Sequence, residues 1–564
     1  MARFAGFCGT SYAGLATEAS IECTRNYYQE TPEVPGEEKP EPWLFPTPGL
    51  LYFGGYPVPV ANWSSMTTYV VANVAGAGGR MYFSLQAGNL NHPPATSPAW
   101  WRDIGTNGRA RGKITFNEIS YGVNGTSFFR LAPDGTQTFL GAVVDDGLPV
   151  TMAAGKPSTL VTSGQLAIAS GGQLYIYNTD NGFIQIPVDP VNGPLFGADY
   201  VTWMDGYFIV LQRALSQFQL SALGDGTNWF DALKVSGTLG QADTIQAIMA
   251  TQEYLYLVGS RRAEIWYNAG GPLFPFAIES GAFIEDGIGA NNSLVKSHDS
   301  LYWVNQSDRG GRCAVRSVGL VTTRISTHAI EQIWSNQNPA RGRVYATIAD
   351  CITYSYIWKG HTMIKFIFPS ADASWLYDAT ESDKVRYPVW TESTWTDSLG
   401  GMHACLERDH CYAYGQHIVG SGGQDGLIGV CYTLDDSTYY DGAFTFTMPA
   451  FPGYPITRDR IVRLPWNNNF RQFLDRLEIF LQTGVGLDTG QGSNPQILIR
   501  ISRDGGETWG PERSYGMGAG GNFSARVLAN CLGSYRDGAI WVRITDPVFA
   551  ALIGADIYLR AGGS

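Results

Sequence analysis

The sequence predicts an all-β protein with a β-propeller of about six blades at its centre, and three observations carry that expectation. Aromatic residues make up 13% of the chain and 68 of its 564 residues are glycine, the pairing that short strands and tight turns require. Charged residues are only 16%, against roughly 25% in an average soluble protein. This excludes a disordered chain, a helical bundle and a coiled coil. Apolar strand cores recur through the middle of the chain at starts 163, 205, 252, 299, 350 and 409. Their spacings lie near the ~40–50 residues that a four-stranded blade needs.

Four segments are expected, since 564 residues exceed what one hydrophobic core supports. Residues 1–56 read as an extended N-terminal arm with first strands, because the stretch 31–48 is proline-rich and proline neither donates nor turns into a helix. Such an arm either crosses a neighbouring subunit or lies over its own domain. Residues 57–107 read as a compact inserted module of three strands with its own aromatics, Trp63, Tyr69, Tyr82, Trp100 and Trp101. Glycines at both ends, Gly54-Gly55 and Gly105 to Gly112, suit an insertion. Residues 108–445 hold the repeated cores, each introduced by a polar turn pair and each alternating or apolar over five or six residues. Residues 446–564 alternate in longer strands and are expected to form a further β domain or the closing sheet of the propeller.

The charge balance narrows the function. Thirty-eight basic against fifty acidic residues give a net −12, and no basic run is present to grip nucleic acid. The 38 bases are 30 Arg and 8 Lys, a bias that fits subunit interfaces, where Lys is depleted. A genome-wide arginine bias would give the same count. The eight cysteines form no CxxC pair, so neither a zinc ribbon nor a disulfide scaffold is indicated. No window approaches 18 apolar residues and the N-terminus lacks a secretory apolar core, so neither a membrane span nor a signal is expected.

Candidate chemistry is sparse. Ser502-Arg503-Asp504-Gly505-Gly506-Glu507-Thr508-Trp509 is an S-x-D-G-G-x-T-W turn. Asp504 would cap turn amides, Gly506 permit a positive φ, and Trp509 pack beneath. It resembles the Asp-box of sialidase-type propellers, where it is structural. Asp225-Gly226-Thr227-Asn228-Trp229 is a loose echo. His403, Cys405, His410, Cys411 and His417 crowd fifteen residues. Read as two strands around a Glu407-Arg408-Asp409 turn, they cannot all share a face. Strand packing is expected there, and no metal, cofactor or catalytic group is expected anywhere.

Two resemblances then suggest a role. Residues 57–107 resemble the small chitin-binding (carbohydrate-binding) modules inserted in phage tail proteins, which makes Trp63, Tyr69, Tyr82, Trp100 and Trp101 a candidate docking or glycan face. The block Ser260 to Gly270 (S-R-R-A-E-I-W-Y-N-A-G), with Phe274-Pro275-Phe276 and Gly281 to Gly287, resembles the tail hub or nozzle proteins of short-tailed phages, also called packaged-DNA stabilisation proteins. So do the turn Ser502 to Arg513 with Gly516-Met517-Gly518, and more weakly Arg25 to Glu30.

That resemblance implies a homohexameric tube below the portal and the head-to-tail adaptor ring, assembled in the host cytoplasm and carried in the virion. It would pass double-stranded DNA without strong binding, help retain the genome, and anchor tail fibre or spike proteins. Arg109 and Arg111, or Arg458, Arg460 and Arg463, are the densest candidates to touch phosphates, with pairing across a subunit interface the stronger expectation. A glycan-binding or sialidase-like propeller and a receptor-binding tail protein are the alternatives.

Overall fold

The computed structural model describes residues 2–13, 20–33, 41–55, 60–189, 194–236, 243–271, 274–306, 311–336, 343–442 and 453–562. Among these residues, seven four-stranded antiparallel blades follow one another around an axis, six as separate sheets and one as part of a ten-stranded sheet. Their innermost strands are Ala110–Phe116, Thr151–Gly155, Tyr200–Met204, Ile245–Ala250, Val295–Ser297, Ile352–Trp358 and Glu407–Ala413. We number the blades 1 to 7 in that order. Type I′ turns suit these hairpins because their twist matches that of the strands. Asp205 and Gly206 (φ 50° and 89°) make such a turn in blade 3, and Tyr414 and Gly415 (57° and 73°) in blade 7.

The count exceeds the expected six by one. Blade 1 escaped the periodicity because its second strand, Ile119–Asn124, interleaves Ser120, Gly122 and Asn124 with its apolar residues and introduces them with a glycine-free Asn117-Glu118 turn. The recurring cores in blades 2 to 5 are second strands, whereas those of blades 6 and 7 are first strands. Spacing also stretches there because helix His328–Trp334 is spliced in before the sixth sheet and helix Ala379–Val385 between its third and fourth strands.

The ring closes with a strand from the far end of the chain. Gly49–Gly54 pairs with Cys431–Asp435 as the outermost strand of blade 7. Apolar clusters fill each gap between blades, and the last one, Phe129, Leu131, Cys411, Ile418 and Cys431, seals blade 7 to blade 1. A buried ion pair, Lys113 Nζ to Asp409 at 3.0 Å, crosses the same seam. Lys365 and Glu407 make the equivalent pair between blades 6 and 7.

The C-terminal segment forms a two-sheet sandwich with N-terminal strands woven in. One sheet carries Leu552–Ala561, Gln472–Leu481 and Val527–Asn530 with Tyr27–Glu30 and Trp43–Pro46. The other runs Ile21–Arg25, Arg458–Arg463, Ala539–Ile544, Gln496–Ser502 and Arg513–Gly516. Phe4, Phe7, Tyr27 and Leu44 join Leu477, Ile499, Val542 and Ile557 in one core between the sheets. Ile21–Arg25 also pairs in parallel with Val389–Glu392, the outer strand of blade 6. One continuous sheet therefore links propeller and sandwich. In the proline-rich stretch, residues 34–40 lie outside the described residues, and its ends pack within this same chain.

Between Gly54 and Ala110 the chain leaves the ring to build a three-stranded sheet of Val74–Ala77, Arg80–Ser84 and Trp101–Thr106. It rests on blade 1: the Gly79 carbonyl accepts from Ser127 Oγ at 2.7 Å, and Arg80 lies over the Phe139 ring at 4.4 Å.

Candidate functional site

The S-x-D-G-G-x-T-W turn lies in the sandwich, between Gln496–Ser502 and Arg513–Gly516, and outside the propeller ring. Its side-chain hydrogen bonds are local, and the Gly505 amide ties it to the Asp537 carbonyl at 3.0 Å. Ser502 Oγ donates to Asp504 Oδ1 at 2.6 Å and accepts from the Gly506 amide at 2.8 Å. Asp504 in turn accepts from the Thr508 amide at 2.9 Å and from the Thr508 hydroxyl. What burial adds to the Asp504 pKa is outweighed by the Ser502 and Thr508 hydrogen bonds, which hold the carboxyl down to about 2. Gly506 adopts φ +104°, and a Cβ there would meet Ile21 Cδ1 at 1.9 Å. Trp509 packs edge-on against Trp541, with ring centroids 5.4 Å apart. The echo at Asp225 repeats the device: it accepts from the Thr227 amide at 2.9 Å, and Trp229 Nε1 donates to the Gly226 carbonyl. Both carboxylates serve turns.

Trp541 leads from that turn to the joint between the domains. Its Nε1 donates to Asp459 Oδ1 at 2.9 Å. Arg543 Nε donates to the same oxygen at 2.7 Å and its Nη2 to Oδ2 at 3.0 Å, while Arg25 pairs with Oδ2 from the other side. Arg25 Nη2 also reaches Glu392 of blade 6 at 2.5 Å. Burial raises the Asp459 pKa, but Arg25 and Arg543 outweigh it and hold the carboxyl below its usual range. Sequence reading missed this network because its directly bonded partners lie up to 434 residues apart.

The five module aromatics do not form one exposed face. Tyr69, Tyr82 and Trp101 are buried, with Tyr69 edge-on to Trp101 at 5.0 Å. A domain this small must spend its rings on its own core. Only Trp63 and Trp100 are half-exposed, and Trp100 is stacked on His92 at 4.0 Å. The outward apolar side chains are instead Met66, Val70, Val71, Leu85 and Leu90. The signal that could have found them is charge: residues 57–107 carry only Arg80, Arg102 and Asp103, and depletion of charge marks interface cores.

The histidines separate. His403 lies between Asp372 (2.7 Å) and Asp397 (3.3 Å), whose carboxylates outweigh burial and raise its pKa. His410 Nε2 and His417 Nδ1 are hydrogen-bonded at 3.0 Å. Burial, then His417, pushes His410 down to about 3. Cys405 and Cys411 are buried thiols. The expected Glu407-Arg408-Asp409 turn is part of the strand Glu407–Ala413. Among the described residues no three His, Cys, Asp or Glu side chains are grouped to hold a metal.

The dense arginines are corrected as well. Arg458 and Arg460 are buried inside this chain. Arg460 donates to the carbonyls of Phe7 (2.6 Å) and Gly6 (3.0 Å), clamping the N-terminal segment. Arg463 pairs with Asp537 and Arg111 with Asp146, both within the chain. Only Arg109 of the five is exposed.

Comparison with known proteins agrees with this two-part architecture. Residues 98–438 match the family described as bacteriophage P22 Gp10, beta-propeller, and residues 458–560 that described as bacteriophage P22 Gp10, beta-sandwich. No curated protein matches the chain. Among solved structures, the computationally designed Ika8 protein is 11% identical, with 68% of this chain and 99% of that one covered at a TM-score of 0.33. The N-terminal domain of Nup159 is 9% identical, with 74% and 99% covered at 0.27. Neither likeness bears on the argument. With both of its large domains matched, the chain belongs to the bacteriophage P22 Gp10 family and is a structural phage tail protein, a component of the virion.

Proposed function

We propose that the chain is the nozzle or hub of a short phage tail. Copies would close into a homohexameric ring that continues the DNA channel below the adaptor, helps hold the packaged genome, and carries fibres or spikes. The observation that carries this reading is the family match across both propeller and sandwich. The welded joint through Ile21–Arg25 supports it, because a conduit under the pressure of packaged DNA needs domains that do not hinge.

The charge distribution suits passage of DNA. The chain is net −12, Arg460, Arg463 and Arg111 are spent on partners within the chain, and Arg458 is buried over the Tyr439 ring. A wall of this sign repels phosphate, so DNA slides along it and no strong contacts must break during ejection. Retention then depends on a constriction or plug. The role is structural and not enzymatic, in keeping with carboxylates of the S-x-D-G-G-x-T-W turn that are committed to the fold. The inserted module suits protein docking better than glycan stacking, because its outward side chains are aliphatic and its rings are largely inside.

Virions lacking this protein test the reading. Heads that fill normally and then leak DNA, with tails missing their distal part, are the expected phenotype. Stable, fully tailed and infectious particles would contradict it.

A further inference from the structure

At the end where the innermost strands begin, the propeller forms an open axial cavity of about 270 Å³. Blades 1, 2, 3, 5, 6 and 7 all contribute lining residues, among them Arg111, Lys113, Tyr200, Tyr354 and Arg408.

The cations of this cavity are not equivalent. Arg111 pairs with Asp146 at 2.5 Å and also donates to the carbonyls of Leu148 and Val144. Lys113 is neutralised by Asp409 at 3.0 Å, and the second partner of that Asp409 oxygen is the Gly420 amide. Arg408 has no such partner. Among the described residues it makes no ion pair, and its Nη1 is buried without a hydrogen bond. Its neighbour Glu407 is committed to Lys365. Arg109 adds a second positive charge without an ion pair among the described residues. It precedes the same inner strand that carries Arg111, and both it and Arg408 flank the Gly422-Gly423 turn. Burial and the Arg109 charge lower the Arg408 pKa against the opposing pull of Cys405, Glu407 and Asp350, none of them hydrogen-bonded to it, and a guanidinium stays protonated at neutral pH. His410, which also lines the cavity, is neutral there and supplies no compensating charge.

A guanidinium with a buried, unbonded nitrogen at the wall of a cavity is costly unless an anion meets it. We propose that the axial cavity is a binding site for a small oxyanion, a phosphate or a carboxylate, held by the planar fork of Arg408 and drawn in by Arg109. The fork geometry matches two oxygens of either group.

Isothermal titration calorimetry on the full chain tests this, with inorganic phosphate and acetate as probes at fixed ionic strength. Saturable one-to-one binding of either anion is expected, and the tighter of the two identifies the ligand class. Arg408→Gln should weaken it by about tenfold or more, the loss expected for a charge-assisted pair. Arg109→Gln, an exposed position that does not threaten folding, should weaken it by roughly threefold and only at low salt. Absence of saturable heat with both anions up to about 10 mM would overturn the proposal. Binding that both variants leave unchanged would equally overturn it.

Discussion

Replacing Asp459 by Asn should unfasten the joint between propeller and sandwich. The carboxylate is fully buried and accepts from Trp541 once, from Arg543 twice and from Arg25. Asparagine keeps one acceptor and turns an amide donor toward guanidinium donors. Breaking a buried ion pair by removing one partner costs about 3–5 kcal/mol. Arg25 retains Glu392, and Arg543 is partly exposed and regains water, so the lower end, about 3 kcal/mol, applies. For a unit the size of the sandwich this corresponds to a fall of about 6–12 °C in Tm.

The pH dependence has a definite sign. Because the folded pKa of Asp459 is depressed, its contribution is fully present above the unfolded carboxylate value of about 3.9 and disappears as pH falls through the lower folded value. The gap between wild type and Asp459→Asn should therefore be widest near neutrality and narrow below about pH 4. Scanning calorimetry across pH reads both quantities. A variant that melts within about 1 °C of wild type at pH 7, with one undivided transition, would refute the reasoning.

Three further outcomes are expected. Gly506→Ala forces a Cβ toward Ile21 at φ +104° and should cost about 1–3 kcal/mol by thermal melting; an unchanged Tm would mean the turn is not a structural element. Deleting residues 60–106 and bridging the ends with a flexible linker should leave a soluble, cooperatively melting protein, since the module forms its own sheet and rests mainly on blade 1; aggregation would show it to be integral. Duplex DNA should show no gel shift at physiological salt below the range of about 10⁻⁶–10⁻⁴ M typical of non-specific binding, and submicromolar, salt-sensitive affinity would make the acidic-conduit argument wrong.

Local signals in the sequence proved readable and distant ones did not. The S-x-D-G-G-x-T-W turn could be read as a carboxylate-capped turn because Ser502, Asp504, Gly506 and Thr508 lie within seven residues of one another. The cores of blades 2 to 5 were legible because each of those hairpins advertises itself with a turn pair before its second strand. The ring's closure was not, since Gly49–Gly54 finds its partner Cys431–Asp435 across almost the whole chain. Arg458 and Arg460 looked like surface or interface charges, because nothing local reveals that Phe7, Gly6 and Thr24 will fold over them. The module misled for a related reason. Tyr69, Tyr82 and Trp101 have the residue types of a binding platform, and a small core uses the same types.

The mass and symmetry of the purified assembly test the nozzle reading most directly. Mass photometry and electron microscopy should give a closed six-fold ring of the 61.5 kDa chain, with a central opening wide enough for duplex DNA. A protein that stays monomeric at micromolar concentration, or closes with an opening too narrow for the duplex, would contradict the account.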